Sequence, residues 1–348
     1  MNSNVRPLYE VSGLPAFQNR TYRSEAEARS CQRGDIRLVE DLQTGLVHNA
    51  EFRPELMTYD PEYDNEQAMS ACFREHLRSI SEIVAAQFGS AGFVEIGSGK
   101  GHFLELLLSR GSNVTGFDPS YDGNNSRIRK EYFLPASLDP CAGFVLRHVL
   151  EHVPDPCKFL RMLRDANGGT GKIYIEVPCF DWICEHKAWF DIFYEHVNYF
   201  RMADFHRMFE TVQVAERSFG GQYLSIVADL STLRVPDSSQ AQAVRFPKDI
   251  FDHRVTPSAG SVIWGGGSKG VTFAVLMARA GHKFEFAIDI NPRKQGKYLP
   301  VTGLKVRSPD QALAKLRDGS TIYVMNSRYL EEIKRMSNNR FRYVLVEA

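Results

Sequence analysis

The spacing of apolar residues changes along this chain, and each change marks a predicted element. Met69, Cys72, Phe73, Leu77, Ile80, Ile83 and Val84 recur at helical spacing and predict one helix over 66–87. From Gly92 the pattern shortens. "GFVEI" predicts a buried strand, "GHFLELLLSRG" a helix closed by a glycine, and "NVTGFD" the next strand. "AGFVLRH", "KIYIEVP" and "YLSIVADL" predict further strands. Residues 232–248 are polar with two prolines and predict a linker. Beyond it the cycle restarts with strand "SVIWG", loop "GGSKG", helix "VTFAVLMARAG" and strand "FEFAIDI". It closes on "TIYVM", a helix through "YLEEIKRM", and "RYVLVEA". Before residue 58 the pattern is weak, with strand-like pieces "DIRLVED" and "GLVHN" between turn residues. Strands alternating with helices predict an α/β protein with parallel, doubly wound sheets.

A chain of 348 residues is too long for one typical core. The pattern divides it into a small N-terminal part (1–65), a central α/β domain (66–235) and a C-terminal Rossmann-like domain (240–348). Lys+Arg and Asp+Glu are both 42, so there is no long-range field to draw nucleic acid or an anionic membrane. The N-terminus has no apolar signal region, and no window approaches 18 apolar residues. A cytoplasmic protein is expected. None of the six cysteines forms a CxxC pair, so reduced, buried thiols are expected. Nothing in the sequence sets an oligomeric state.

The chemistry starts at "VEIGSGKGHF". A phosphate-binding P-loop needs Ser or Thr after Gly-Lys, but Gly101 follows Lys100. A dinucleotide loop needs GxGxxG, but Gly97, Gly99 and Gly101 spell GxGxG after Glu95. This tighter loop has no pyrophosphate to cradle. It matches the E/DxGxGxG pattern of class I methyltransferases, which bind S-adenosylmethionine. Asp118, ending the next strand, is placed to accept both ribose hydroxyls. His102, Phe103, Pro119, Arg147 and His148 complete the expected cofactor contacts. His148 and His152 lie four apart in "RHVLEH", but no third ligand stands at metal-site spacing, so no metal is expected.

Taken together, "YDPEYDNEQ", "RHVLEHVPDP", "FYEHVNYF", "IWGGGSKGVTF", "DINPRKQGKYLPVTG" and "VMNSRYLEEI" resemble one family. It is that of the C-methyltransferases acting on nucleotide-linked keto-deoxysugars in antibiotic and polysaccharide pathways. The resemblance runs across nearly the whole chain. It implies a small-molecule substrate, a nucleotide-linked sugar, and a C-terminal domain that holds its nucleotide end without a redox cofactor. Tyr59, Tyr63, Lys269, Lys297 and Asn326 are the implied substrate contacts. His196 is the implied base that makes an enolate, with Glu195 as its polar partner and His152 holding the enolate or substrate.

The chain departs from the family twice. Tyr9, Ser12, Asp41 and Thr44 stand where the family's small domain has its zinc-binding cysteines, so that domain is expected without metal. Phe193 stands at the family's active-site tyrosine, with Tyr194 one residue along as the remaining catalytic candidate. An O- or N-methyltransferase on another small metabolite is the alternative enzyme. A noncatalytic nucleotide-binding module is the alternative outside enzymes.

Overall fold

The computed structural model describes residues 4–60, 62–135, 141–251 and 255–347. The opening residues of the chain, Pro61 in the tyrosine-rich stretch, and Ala348 at the end of the last predicted strand lie outside the described residues. Among the described residues there are three sheets.

The central sheet runs, edge to edge, Val212–Ser218, Tyr223–Asp229, Lys172–Pro178, Gly143–Arg147, Phe93–Ile96, Val114–Phe117 and Ile128–Arg129. From Lys172–Pro178 onward the neighbours are parallel. Tyr223–Asp229 is antiparallel to both its neighbours, so it runs against every other strand of the sheet. This corrects the expected all-parallel sheet. Only a short turn over Phe219–Gly221 joins Val212–Ser218 to Tyr223–Asp229, too short for the crossover that a parallel pair needs. The result is the class I methyltransferase sheet. Its middle strands are buried on both faces and therefore read as continuous apolar runs, as in Phe144, Val145, Leu146 and Ile173, Tyr174, Ile175.

The long helix begins later than its apolar pattern suggests, at Ala71, and runs to Phe88. Ser70 stops it: its hydroxyl accepts from the Phe73 N–H and donates to the Glu332 carboxylate. Residues 65–67 are thereby left outside the helix, where they line the cavities described below.

The C-terminal sheet is all parallel, ordered Val306–Arg307, Ala287–Ile288, Val262–Trp264, Thr321–Val324 and Arg342–Leu345. Helix Ser268–Arg279 packs on it with Gly270 to Met277 buried throughout. The predicted strand "FEFAIDI" shrinks to Ala287–Ile288.

The N-terminal sheet is antiparallel: Val5–Pro15, Arg33–Asp41, Val47–Asn49, and then Asn198–Tyr199 from far along the chain. That last strand belongs to "FYEHVNYF", so the Glu-His motif is where the N-terminal sheet meets the central one. Asp41 and Thr44 form a turn, with the Asp41 carboxylate accepting from the Gln43 and Thr44 amides at 2.8 Å each. Tyr9 packs on Phe246, ring centroids 5.9 Å apart. Residues 232–248 are not a free linker. Val244 and Phe246 pack on the core, and the Arg201 guanidinium donates to the Gln242 carbonyl at 2.7 Å. All six cysteines are free thiols; Cys31 and Cys179 are buried and the others partly so.

Candidate active site

Two cavities meet at Tyr63, His148 and His152. The larger opens above the first glycine loop. Glu95, Gly97, Gly99, His102, Phe103, Asp118, Pro119, Arg147 and His148 all line it; Gly101 does not, but starts helix His102–Ser109 in a left-handed conformation. Gly97 has φ +79°, and a Cβ there would stand 2.3 Å from a Val149 methyl, so glycine is required. Asp118 ties the loop: one carboxylate oxygen accepts from the Gly99 N–H at 2.7 Å, the other from the Ser120 N–H at 2.7 Å. Burial pushes the Glu95 carboxyl up to about 7, against the pull of Arg147 and Ser98.

Behind the loop lies a buried charge cluster. Glu176, fully buried, accepts from Arg147 Nε at 2.7 Å and pairs with His76. Burial alone would raise the Glu176 carboxyl; Arg147, and then His76, more than offset it and hold the group well below the carboxylate range. Arg147 also lies over the Phe103 ring, 4.5 Å from its centroid. His148 sits at the strand end with φ +53°, strain of the kind that collects at functional sites.

The second cavity runs from His196 to the second glycine loop. Motif segments 148–153 and 193–200 are stitched together along its wall. Val197 N–H donates to the Glu151 carbonyl at 2.9 Å, and Asn198 Nδ2 to the Val153 carbonyl at 2.6 Å. His152 Nδ1 lies 2.7 Å from the Glu195 carbonyl. A carbonyl only accepts, so Nδ1 carries the hydrogen and the lone pair lies on Nε2. The His152 and His196 rings stand 5.0 Å apart. Burial, then His152 and His148, hold the His196 imidazole well below its ordinary range, so it is neutral.

Two of the expected catalytic contacts are corrected. Glu195 is not the partner of His196. Its carboxylate accepts from the Gln18 N–H, the Asn19 N–H and the Tyr63 hydroxyl, anchoring the N-terminal segment against the site. Tyr194 points away. Its hydroxyl accepts from the Arg53 N–H at 2.8 Å and its ring stacks on Phe52 in the N-terminal region. Tyr194 and Glu195 are the central residues of a turn closed by the His196 N–H donating to the Phe193 carbonyl at 3.2 Å, and their side chains leave it in different directions. Tyr59 and Tyr63 do face the site, packed edge to face at 5.0 Å, with the Tyr59 hydroxyl 3.2 Å from His152 Nδ1.

Of the expected nucleotide-side contacts, Lys269 and Asn326 line the second cavity. They meet through Gln222, whose amide oxygen accepts from Lys269 Nζ at 2.9 Å and Asn326 Nδ2 at 2.8 Å. Lys269 also pairs with Asp191 at 3.0 Å. Lys297 does not reach the cavity; its ammonium lies 3.7 Å from Glu62. Lys294 takes the place expected of it. It is 5% exposed, lines the cavity, and its ammonium would stand 3.6 Å from a Cβ at Gly267. Lys294 lies five residues past Asp289, the strand-end acid, and that offset was the available signal. Asn19, whose buried Oδ1 has no hydrogen-bond partner, approaches the same glycine from the N-terminal segment. Weak periodicity there gave no hint of it.

Residues 66–214 match the family model described as a methyltransferase domain. With the cofactor loop and the sheet order, this defines an S-adenosylmethionine-dependent methyltransferase. Among individual proteins, the chain is 24% identical to the C-methyltransferase NovU of Streptomyces niveus, over 74% of this chain and 72% of that protein. Solved structures with similarity include the 1,6-didemethyltoxoflavin-N1-methyltransferase of Burkholderia thailandensis with bound 1,6-didemethyltoxoflavin and S-adenosylhomocysteine (17% identity, TM-score 0.36, 53% of this chain and 95% of that one). Another is an S-adenosylmethionine-dependent methyltransferase of Aquifex aeolicus (10% identity, TM-score 0.35, 50% and 100%). Among the described residues no helix is long and apolar enough to cross a membrane.

Proposed function

We propose that the protein moves a methyl group from S-adenosylmethionine to a carbon beside the carbonyl of a nucleotide-linked keto sugar. The cavity that joins His196 to the second glycine loop carries this reading. One end offers a neutral imidazole; the other offers helix N-terminal amides and the Lys294 ammonium, a pairing suited to an acceptor with a diphosphate tail. The likeness to a protein named C-methyltransferase supports the reaction type.

In this reading His196 takes the proton from the carbon next to the carbonyl. His152, its Nε2 facing the shared wall, holds the sugar. The carbon, the methyl group and the sulfur must then line up at about 3 Å. The walls meeting at Tyr63, His148 and His152 mark where methyl donor and acceptor come together. We assign the central domain to methyl transfer and the C-terminal domain to the nucleotide.

The test is a product analysis with methyl-labelled S-adenosylmethionine and a panel of nucleotide-linked keto sugars. A label that couples to a sugar carbon in the NMR spectrum and survives acid hydrolysis of the glycosidic linkage supports the reading. A label on oxygen or nitrogen moves the assignment to those acceptors.

A further inference from the structure

We propose that the buried carboxylate of Glu151 is the charge partner of His196 and stabilises the proton that this base takes from the acceptor. The proposal rests on reading His196 as the base. Sequence adjacency offers Glu195 for this task, but the fold commits that carboxylate elsewhere and brings Glu151 in from the turn Leu150–His152. One side-chain polar atom from each of Glu151, His152 and His196 lies within 4.8 Å of the others.

Among the described residues, six carboxylates stand in the wall of the acceptor cavity, and five are already engaged. Glu195 accepts from Gln18, Asn19 and Tyr63, and Asp191 pairs with Lys269 at 3.0 Å. Asp289 accepts from the Gly266 and Asn291 amides, Glu332 from the Ser70 hydroxyl, and Glu66 from the Ala68 amide. Glu151 is the exception. It is 1% exposed, and neither of its oxygens accepts a hydrogen bond. Both oxygens are sealed within the wall, so Glu151 does not touch the acceptor. A carboxylate buried without donors is costly, and a positive charge arising beside it offsets that cost.

His196 supplies such a charge when it acts. Its ring is buried, and His152, His148 and Lys269 all oppose a proton on it. Tyr199 stands 6.2 Å away, ring to ring, with its hydroxyl on the Phe193 carbonyl. His148 has Nδ1 3.4 Å from Glu151, but its Nε2 faces a second carboxylate, Glu176, at 3.9 Å. An opposite charge at the Glu151 distance favours the protonated imidazole. The backbone fixes the separation, because the N–H of Val197, the residue after His196, donates to the Glu151 carbonyl at 2.9 Å.

In the reaction the C–H bond beside the acceptor's carbonyl breaks. Its electron pair becomes the enolate and its proton binds the His196 imidazole. The imidazolium faces Glu151 while the enolate carbon takes the methyl group and the C–S pair returns to sulfur. The proton then passes to solvent as the products leave. Glu151 acts only through His196 and is a positioning residue.

The test is an NMR titration of the full-length protein labelled with ¹⁵N-histidine, as wild type, Glu151→Gln and Glu151→Asp. The His196 signal is the one lost in His196→Gln. Its midpoint should fall by about one pH unit or more in Glu151→Gln, a tenfold weaker hold on the proton, and by less in Glu151→Asp. S-adenosylhomocysteine should bind wild type and both Glu151 variants alike, which shows them folded. Methyl transfer to the acceptor found by product analysis should fall about tenfold or more in Glu151→Gln, with KM for S-adenosylmethionine unchanged, and recover in part in Glu151→Asp. A merely structural role would lower transfer without moving the midpoint. A His196 midpoint shared by wild type and Glu151→Gln overturns the proposal, whatever the activity. A shifted midpoint in a protein that methylates no keto sugar overturns the proposed reaction instead.

Discussion

The two glycine loops of this protein are built alike and face different cavities. At the first, Asp118 ends the neighbouring strand and accepts from the Gly99 N–H and the Ser120 N–H. At the second, Asp289 does the same for the Gly266 and Asn291 amides, at 2.8 Å each. The difference lies in the walls. The first loop faces mostly residues of the central domain, Glu95 and Arg147 among them, with Tyr59 and Tyr63 closing one side. The second faces Asn19 from the N-terminal segment, Gln222 from the central sheet, and the cationic side chains Lys269 and Lys294. A strand–loop–helix unit thus supplies a ligand cradle, while its surroundings choose the ligand.

Substitutions can break this comparison, beginning with the largest effect. His196→Ala should lower methyl transfer by about a hundredfold or more, the usual weight of a lost general base, with S-adenosylhomocysteine affinity nearly unchanged. Unchanged turnover would remove His196 from the reaction. Next, Asp118→Ala should weaken S-adenosylhomocysteine about tenfold, since it removes a charged hydrogen-bond acceptor from the cofactor loop. Asp289→Ala should leave that affinity alone and act on the acceptor. Equal effects of the two would erase the division of labour.

The smallest effect is a pH dependence. Methyl donors of this kind are cationic, so an ionised Glu95 favours them. With its carboxyl at about 7 in the unliganded protein, affinity for S-adenosylmethionine should rise as pH increases from about 6 to 8 and then level off. The same raised value makes Glu95 a stabilising group below its ordinary value of 4.5, a contribution lost as pH climbs through about 7. Glu95→Gln should flatten both curves, read by calorimetry and thermal melting.

Much of this architecture was legible from periodicity and glycine spacing. The strands flanking each loop, the helices after them and the strand-end acids stand where the pattern put them. The reversed strand Tyr223–Asp229 was not legible, because an apolar run carries no direction. The strand Val5–Pro15 was missed because register shifts between Pro7 and Tyr9, and between Val11 and Leu14, break its alternation. At the site, residue types were readable but orientations were not. Glu195 beside His196 reads as a catalytic pair, yet backbone amides of Gln18 and Asn19, distant in sequence, claim its carboxylate. Glu151 carried no signal in the sequence, yet the fold buries it beside His152 and His196.

The central claim is that the first loop holds the methyl donor while the second serves the acceptor. Calorimetric titration of the purified protein with S-adenosylhomocysteine, then separately with NAD and NADP, tests it most directly. The account predicts binding of S-adenosylhomocysteine alone, weakened by Asp118→Ala and untouched by Asp289→Ala. Binding of a nicotinamide dinucleotide that Asp289→Ala abolishes would contradict it and make the second loop a redox-cofactor site.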